Sequence, residues 1–231
     1  MQPLRLPDGV PTSIHVFQRK VDLRAPLPAT DWTLLAPAER ERALRFGQHA
    51  DRMRFVCARA GVRQVLGDVM GIRPAHVVLE TNRHGKPQLQ VACAMDDALH
   101  FNVSHAGEYV LIAVSTDRHV GIDIERRDAT LNIPELEPHI LSDAEWRADM
   151  TQRPRFFDCW TAKEAVLKAI GIGVAAHLRD LSVCLPDPSN DTPGGGHYRL
   201  VIEGMASPGV SACRLWAPKG YAAALAWIGT D

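Results

Sequence analysis

The chain has 231 residues, 46% of them hydrophobic, and a formal net charge of −1 at pH 7. That length suffices for one large domain or two small ones with real cores, and the near-neutral charge argues against a general nucleic-acid binder. The five cysteines (57, 93, 159, 184 and 213) and ten histidines lack C-x-x-C or other metal-ligand spacing, which suits a reducing, cytoplasmic setting and offers no zinc site.

Pro3, Pro7, Asp8 and Pro11 interrupt the N-terminus where a signal peptide needs an apolar core. No run approaches ~20 apolar residues, so no membrane span is expected. In chain order, "SIHVFQ" reads as a short strand. "LAPAER" (Leu35–Arg40) and a basic run follow, with Arg40, Arg42, Arg45, Arg52 and Arg54 within fifteen residues. The segment "RFVCARAGVRQVLGDVMGI" from Arg54 has helical periodicity, with Phe55, Val62, Val65, Leu66 and Val69 on one face and a Gly-Ile stop. "AHVVLE" is strand-like, Gly85–Lys86–Pro87 a tight turn, and "FNVSH" with "YVLIAVS" an antiparallel pair.

After "STDRH" (Ser115–His119) the order repeats. "HVGIDIE" is a strand, "LSDAEW" (Leu141–Trp146) echoes "LAPAER", and "RFFDCWTAKEAVLKAIGIG" from Arg155 echoes the first long helix. "LRDLSVCL" is strand-like, Pro186–His197 reads as a hairpin connection, and "YRLVIE" with "YAAALAWIG" reads as a second antiparallel pair. The expected architecture is α+β: two similar halves, 1–117 and 118–231, each a long helix packed on a small antiparallel sheet. Such a duplication places functional groups where the halves meet.

Four clusters carry chemistry. In the strand "VGIDIE", alternation puts Ile122 and Ile124 on one face and Asp123 and Glu125 on the other, the carboxylates ~7 Å apart. Such a pair suits a hard cation like Mg²⁺ completed by phosphates; a solvated acidic face on an edge strand gives the same pattern. On the second long helix Glu164 and Lys168 lie one turn apart near Trp160 and Leu167. An ordinary i,i+4 ion pair, worth a few tenths of a kcal/mol, explains them equally well. Lys86, Ser104 and His105 stand at loop tips where they can cradle a phosphate, although a capped loop histidine looks the same. The arginine run is either a solvated helix face or a supply of guanidinium forks.

Taken in order, "RALRF", "HGKP", "FNVSH", "VGIDIE" and "WTAKEAVLKAIGIG" resemble the 4′-phosphopantetheinyl transferases. The length and internal repeat resemble the larger, surfactin-synthetase-associated group, a pseudo-dimer in one monomeric chain. The resemblance covers Arg42 to Gly173 well. It implies transfer of the phosphopantetheine arm of coenzyme A to a serine of an apo acyl or peptidyl carrier protein, releasing 3′,5′-ADP. It also implies Asp123, Glu125 and Glu164 as Mg²⁺ ligands and Lys168 on the phosphates near the transferred group, so that Asp123, Glu164 and Lys168 form the catalytic set. Lys86, Asn102, Ser104 and His105 match the loops that hold the nucleotide, and Arg42 the basic residue on its 3′-phosphate. No nucleic acid or membrane partner is implied. A Mg²⁺-dependent hydrolase of a pyrophosphate-containing nucleotide and a non-catalytic carrier-binding module are the alternatives the same residues leave open.

Overall fold

The computed structural model describes residues 1–81, 87–90, 99–148, 156–184, 196–202 and 209–229. Lys86 and most of the Pro186–His197 connection lie outside the described residues. No helix among those described is long and apolar enough to cross a membrane. The elements run β1 (Gln2–Pro3), β2 (Ile14–Lys20), α1 (Ala29–Leu34), α2 (Pro37–Leu44), α3 (His49–Met70), β3 (Leu79–Thr81), β4 (Pro87–Leu89), β5 (His100–Ala106), β6 (Tyr109–Ser115) and β7 (Val120–Arg126). They continue with α4 (Ile133–Ile140), α5 (Asp143–Arg147), α6 (Phe156–Ile170), α7 (Val174–His177), β8 (Leu181–Cys184), β9 (Arg199–Ile202), β10 (Val210–Arg214) and β11 (Tyr221–Ile228).

Two antiparallel sheets dominate, ordered β1-β2-β6-β5 and β10-β11-β7. The fold is α+β, as expected, and the strand plan repeats. In β2-β6-β5 and again in β7-β11-β10 the last strand in sequence sits between the other two. Each plan also includes a two-stranded hairpin, β3-β4 or β8-β9. The sequence pairing of "YRLVIE" with "YAAALAWIG" is corrected: β9 pairs with β8, and the antiparallel neighbour of β11 on that side is β10. The small buried residues of β10, Ala212 and Cys213, give that strand little hydrophobic contrast. Both long helices stop where the Gly-Ile pairs sit. Gly71 and Gly171 have φ of 66° and 85°, a left-handed conformation that glycine adopts without steric cost.

The layers follow from alternation along the strands. On β6, Val110, Ile112 and Val114 pack against Met53, Cys57, Val62, Val65 and Leu66 of α3. The intervening Leu111 and Ala113 meet Ile122, Ile124, Leu225 and Trp227 of the other sheet. On β11, Ala224 and Ala226 turn away toward Cys159, Ala162, Ala165, Val166 and Ala169 of α6. The order is helix, sheet, sheet, helix, with one core shared between the sheets. At their edges β5 meets β7 through side chains, the Asn102 Oδ1 accepting from the Ile122 N–H at 3.0 Å.

Gly121 sets how closely α6 lies on β7. A Cβ there would stand 2.0 Å from the Ala165 carbonyl oxygen and 2.5 Å from the Ala169 nitrogen, so only hydrogen fits beneath the helix backbone. The far side of α6 is pinned by Lys163, which is fully buried. Its ammonium donates to the Glu145 carboxylate and the Ile140 carbonyl at 2.6 Å each, and to the Leu178 carbonyl at 3.0 Å. Glu145 is itself satisfied by the N–H groups of Ser142 (2.8 Å) and Val183 (2.7 Å). Such a completed network holds position without leaving a stranded charge. Gly121→Ala is therefore expected to destabilise the fold by about 3 kcal/mol, at the upper end of the usual cost of overpacking, measured as a lower urea midpoint with unchanged slope.

Candidate active site

Because Ile122 and Ile124 point into the shared core, Asp123 and Glu125 point toward α6. Asp123 is 1% exposed, which excludes the solvated edge-strand reading for it. From α6, Lys168 reaches across to the Asp123 Oδ1 at 2.6 Å and lies 3.1 Å from the Glu164 Oε2. The i,i+4 pair expected from sequence is thus present, but the shorter contact of the ammonium is with a buried carboxylate from another element. The Ser104 hydroxyl of β5 also donates to the Asp123 Oδ1, at 2.8 Å. The Trp160 indole N–H donates to the Glu164 Oε1 at 2.7 Å. Trp160, Glu164 and Lys168 therefore act together along one helix face.

The electrostatics are those of an anionic site short of positive charge. Two carboxylates share one ammonium, and the Asp123 Oδ2 is buried with no hydrogen-bond partner. Burial raises the Asp123 pKa, Glu164 adding to it, against the opposing pull of Lys168 and the Ser104 hydroxyl. Burial alone would lower Lys168, but Asp123 and Glu164 outweigh it and keep the ammonium protonated. Glu125 is pushed up to about 7, first by burial and then by Asp123 and Glu164. An orphaned carboxylate oxygen and an all-oxygen donor set fit a hard divalent cation such as Mg²⁺. Among the described residues, no three His, Cys, Asp or Glu side chains stand together at ligand spacing.

Beside this cluster opens a cleft of about 1010 Å³, walled by Arg54, His105 and Gly107 on one side and by Glu125, Arg126 and Tyr221 on the other. Its two walls come from the two repeats of the strand plan. His105 is exposed on the cleft wall. Its pKa is lowered, first by desolvation among the neighbouring cleft atoms and then by the positive charges of Arg54 and Lys168.

The remaining residues expected at the site are dispersed. Asn102 is buried and bonded to the Ile122 backbone. Arg42 is exposed on α2, its guanidinium 5.2 Å from the centre of the Phe55 ring, and it is not among the residues lining the cleft. The arginine run divides: Arg40 bonds the carbonyls of Trp32 and Thr33, and Arg52 those of Ala43 and Phe46. From that run only Arg54 lines the cleft. Sequence reasoning passed over Lys163 and Tyr221. Lys163 sits inside the quoted "WTAKEA" but on the helix side away from Glu164, and its burial partners are unreadable without the fold. Tyr221 opens its strand just before three successive alanines, and that contrast is its one signal.

Residues 29–117 match the family described as 4′-phosphopantetheinyl transferase, N-terminal, and residues 119–225 match the 4′-phosphopantetheinyl transferase superfamily. The chain is 31% identical over 195 residues to the 4′-phosphopantetheinyl transferase HetI of Nostoc sp., spanning 80% of this chain and 81% of that protein. It is 30% identical over 198 residues to a phosphopantetheinyl transferase of Thraustochytrium sp., spanning 78% and 68%. It is also 30% identical over 152 residues to the 4′-phosphopantetheinyl transferase of Bacillus subtilis, spanning 64% and 66%. The fold and these matches define a transferase with mixed helix and antiparallel sheet. The chain belongs to the 4′-phosphopantetheinyl transferase superfamily.

The raised Glu125 pKa carries a stability signature. A carboxyl with a higher pKa in the folded state than its ordinary value of 4.5 binds more protons folded than unfolded. Between pH 4.5 and about 7 the contribution of Glu125 to the stability of the metal-free protein therefore falls as pH rises. Solvent screening of this partly exposed side chain reduces the full value of the shift, ~3 kcal/mol, to about 2 kcal/mol. Urea titrations across this range should show a shallower slope in Glu125→Gln; an unchanged slope would mean that Glu125 ionises normally.

Proposed function

We propose that this chain transfers the 4′-phosphopantetheine group from coenzyme A to a serine hydroxyl of an apo acyl or peptidyl carrier protein, releasing 3′,5′-ADP. The observation that carries this reading is the Lys168 ammonium held between Asp123 and Glu164 beside the cleft. The reading assigns the strand repeat to the larger, surfactin-synthetase-associated group, a single-chain monomer working in the cytoplasm. Residues 1–117 would supply the nucleotide contacts and residues 118–231 the charged cluster.

In this reading the nucleotide occupies the cleft, with Arg54 and His105 on its wall and Ser104 behind it. By resemblance Lys86 and Arg42 are assigned to its phosphates, Arg42 reaching the 3′-phosphate from outside the cleft lining. Asp123 and Glu164, with Glu125 beside them, would hold Mg²⁺, whose charge would neutralise the pyrophosphate oxygens. The serine oxygen forms a bond to the β-phosphorus and gives its proton to a water molecule as the bond from that phosphorus to the bridging oxygen breaks, and 3′,5′-ADP departs with the electron pair. Lys168 faces the charge that grows on those oxygens and stabilises it more in the transition state than in the ground state. Glu164 is a poor acceptor for the serine proton, because one oxygen accepts from Trp160 and the other pairs with Lys168.

The direct test is intact mass measurement of a panel of apo carriers after incubation with the enzyme, coenzyme A and Mg²⁺. A gain of one phosphopantetheine group supports the reading. Release of 3′,5′-ADP from coenzyme A without any carrier would identify a hydrolase instead.

Lys168→Ala is expected to lower kcat by about 10²-fold while changing coenzyme A affinity far less. It also strands a buried carboxylate, so a stability loss of about 3 kcal/mol accompanies it. Single-turnover rates should therefore be read well below the melting transition. Wild-type turnover in the folded variant would remove Lys168 from the mechanism.

A further inference from the structure

The hairpin joining β5 to β6 turns through two residues, Gly107 and Glu108, between the paired Ala106 and Tyr109. Gly107 has a φ of 51°, and no non-glycine residue in the described chain has a positive φ. Glycine at the first central position is the pattern of a type II′ turn. In such a turn the central peptide, here Gly107–Glu108, stands across the hairpin and takes no part in its ladder. Its orientation therefore depends on partners from outside.

Both polar ends of that peptide are taken. The Gly107 carbonyl accepts from the Arg54 Nε at 3.0 Å, and the Glu108 N–H donates to the Tyr221 hydroxyl at 3.2 Å. Arg54 comes from α3 and Tyr221 from β11, so one peptide is gripped by both repeats of the strand plan. The fit is close: a Cβ on Gly107 would stand 2.2 Å from the Tyr221 hydroxyl oxygen. Tyr221 is held in turn, its ring edge-on to Tyr109 with centroids 4.9 Å apart. Its carbonyl accepts from the Arg127 Nε at 3.2 Å, and Arg127 pairs at 2.6 Å with Asp158 of α6. His105, Gly107, Arg54 and Tyr221 all line the same cleft.

We propose that Tyr221 is a positioning residue for the nucleotide wall. Its hydroxyl orients the Gly107–Glu108 peptide and thereby holds the turn and His105 where coenzyme A binds. The identity of the ligand rests on the function proposed above; the hold on the turn does not. The contact chain from α6 through Arg127 to Tyr221 ties the nucleotide wall to the helix that carries Glu164 and Lys168.

The test is Tyr221→Phe, which removes one oxygen and keeps the ring. Coenzyme A affinity by calorimetry is expected to fall about 3- to 10-fold, the range of one lost hydrogen bond. The kcat on a carrier at saturating coenzyme A should stay within about twofold. Amide hydrogen exchange over residues 105–109 should accelerate by a comparable factor in the ligand-free protein. A purely structural tyrosine would lower the melting temperature without this split between affinity and kcat. Gly107→Ala, which drives a methyl group into the hydroxyl, is expected to weaken affinity further. Unchanged affinity in folded Tyr221→Phe, unchanged exchange at the turn, or a neutral Gly107→Ala would each overturn the proposal. If the wild-type protein itself fails to bind coenzyme A, the functional reading fails, and the exchange measurement still decides whether Tyr221 holds the turn.

Discussion

The arrangement depends on one missing side chain. With hydrogen alone on the Gly121 Cα, the backbone of α6 settles directly onto β7, and the next position on the same strand face, Asp123, comes within reach of Lys168. The alanines of β11 extend the same low surface under the helix. A bulkier floor would lift α6 and separate two charges that are tolerable in the interior only because they touch. Packing at Gly121 is therefore an electrostatic device as much as a steric one.

Two lysines on this helix show what context does to one side-chain type. Lys163 is entirely enclosed and gives all three of its hydrogens to fixed acceptors, which leaves it no capacity for a substrate. Lys168 lies at the rim, 21% exposed, with carboxylates that have more negative charge than it can neutralise. The first lysine immobilises the helix. In the proposed reaction the second would use that immobility, because a cation that stabilises developing charge must already be in place when the charge appears.

Much of this was legible in the sequence, and the failures have physical causes. Alternation in "VGIDIE" was enough to separate Asp123 and Glu125 from the isoleucines, because strand geometry leaves no other arrangement. It could not show that the acidic face is roofed, since the roof is a helix from distant sequence admitted by a glycine. The repeated order of helix and strands was visible because amphipathic periodicity is strong in both copies, whereas β10 was lost because its inward residues are small. The arginine run shows the limit of reasoning from charge: Arg40 and Arg52 spend their guanidiniums on backbone carbonyls within their own neighbourhood. The role of Asn102 in joining the sheet edges, its carbonyl oxygen accepting from the Ile122 N–H, is invisible without the fold that brings β5 beside β7.

The core between the two sheets has a consequence for how the chain holds together. Ile14, Val16, Leu111 and Ala113 share one core with Ile122, Ile124, Leu225 and Trp227 of the other sheet, so either half alone would present an apolar sheet face to water. The few residues between β6 and β7 thus act as a tether. They keep the two faces at a high effective concentration and turn what would be a bimolecular association into an intramolecular one. Cutting that tether would break no side-chain contact in the core, yet it would make the integrity of the cleft depend on protein concentration.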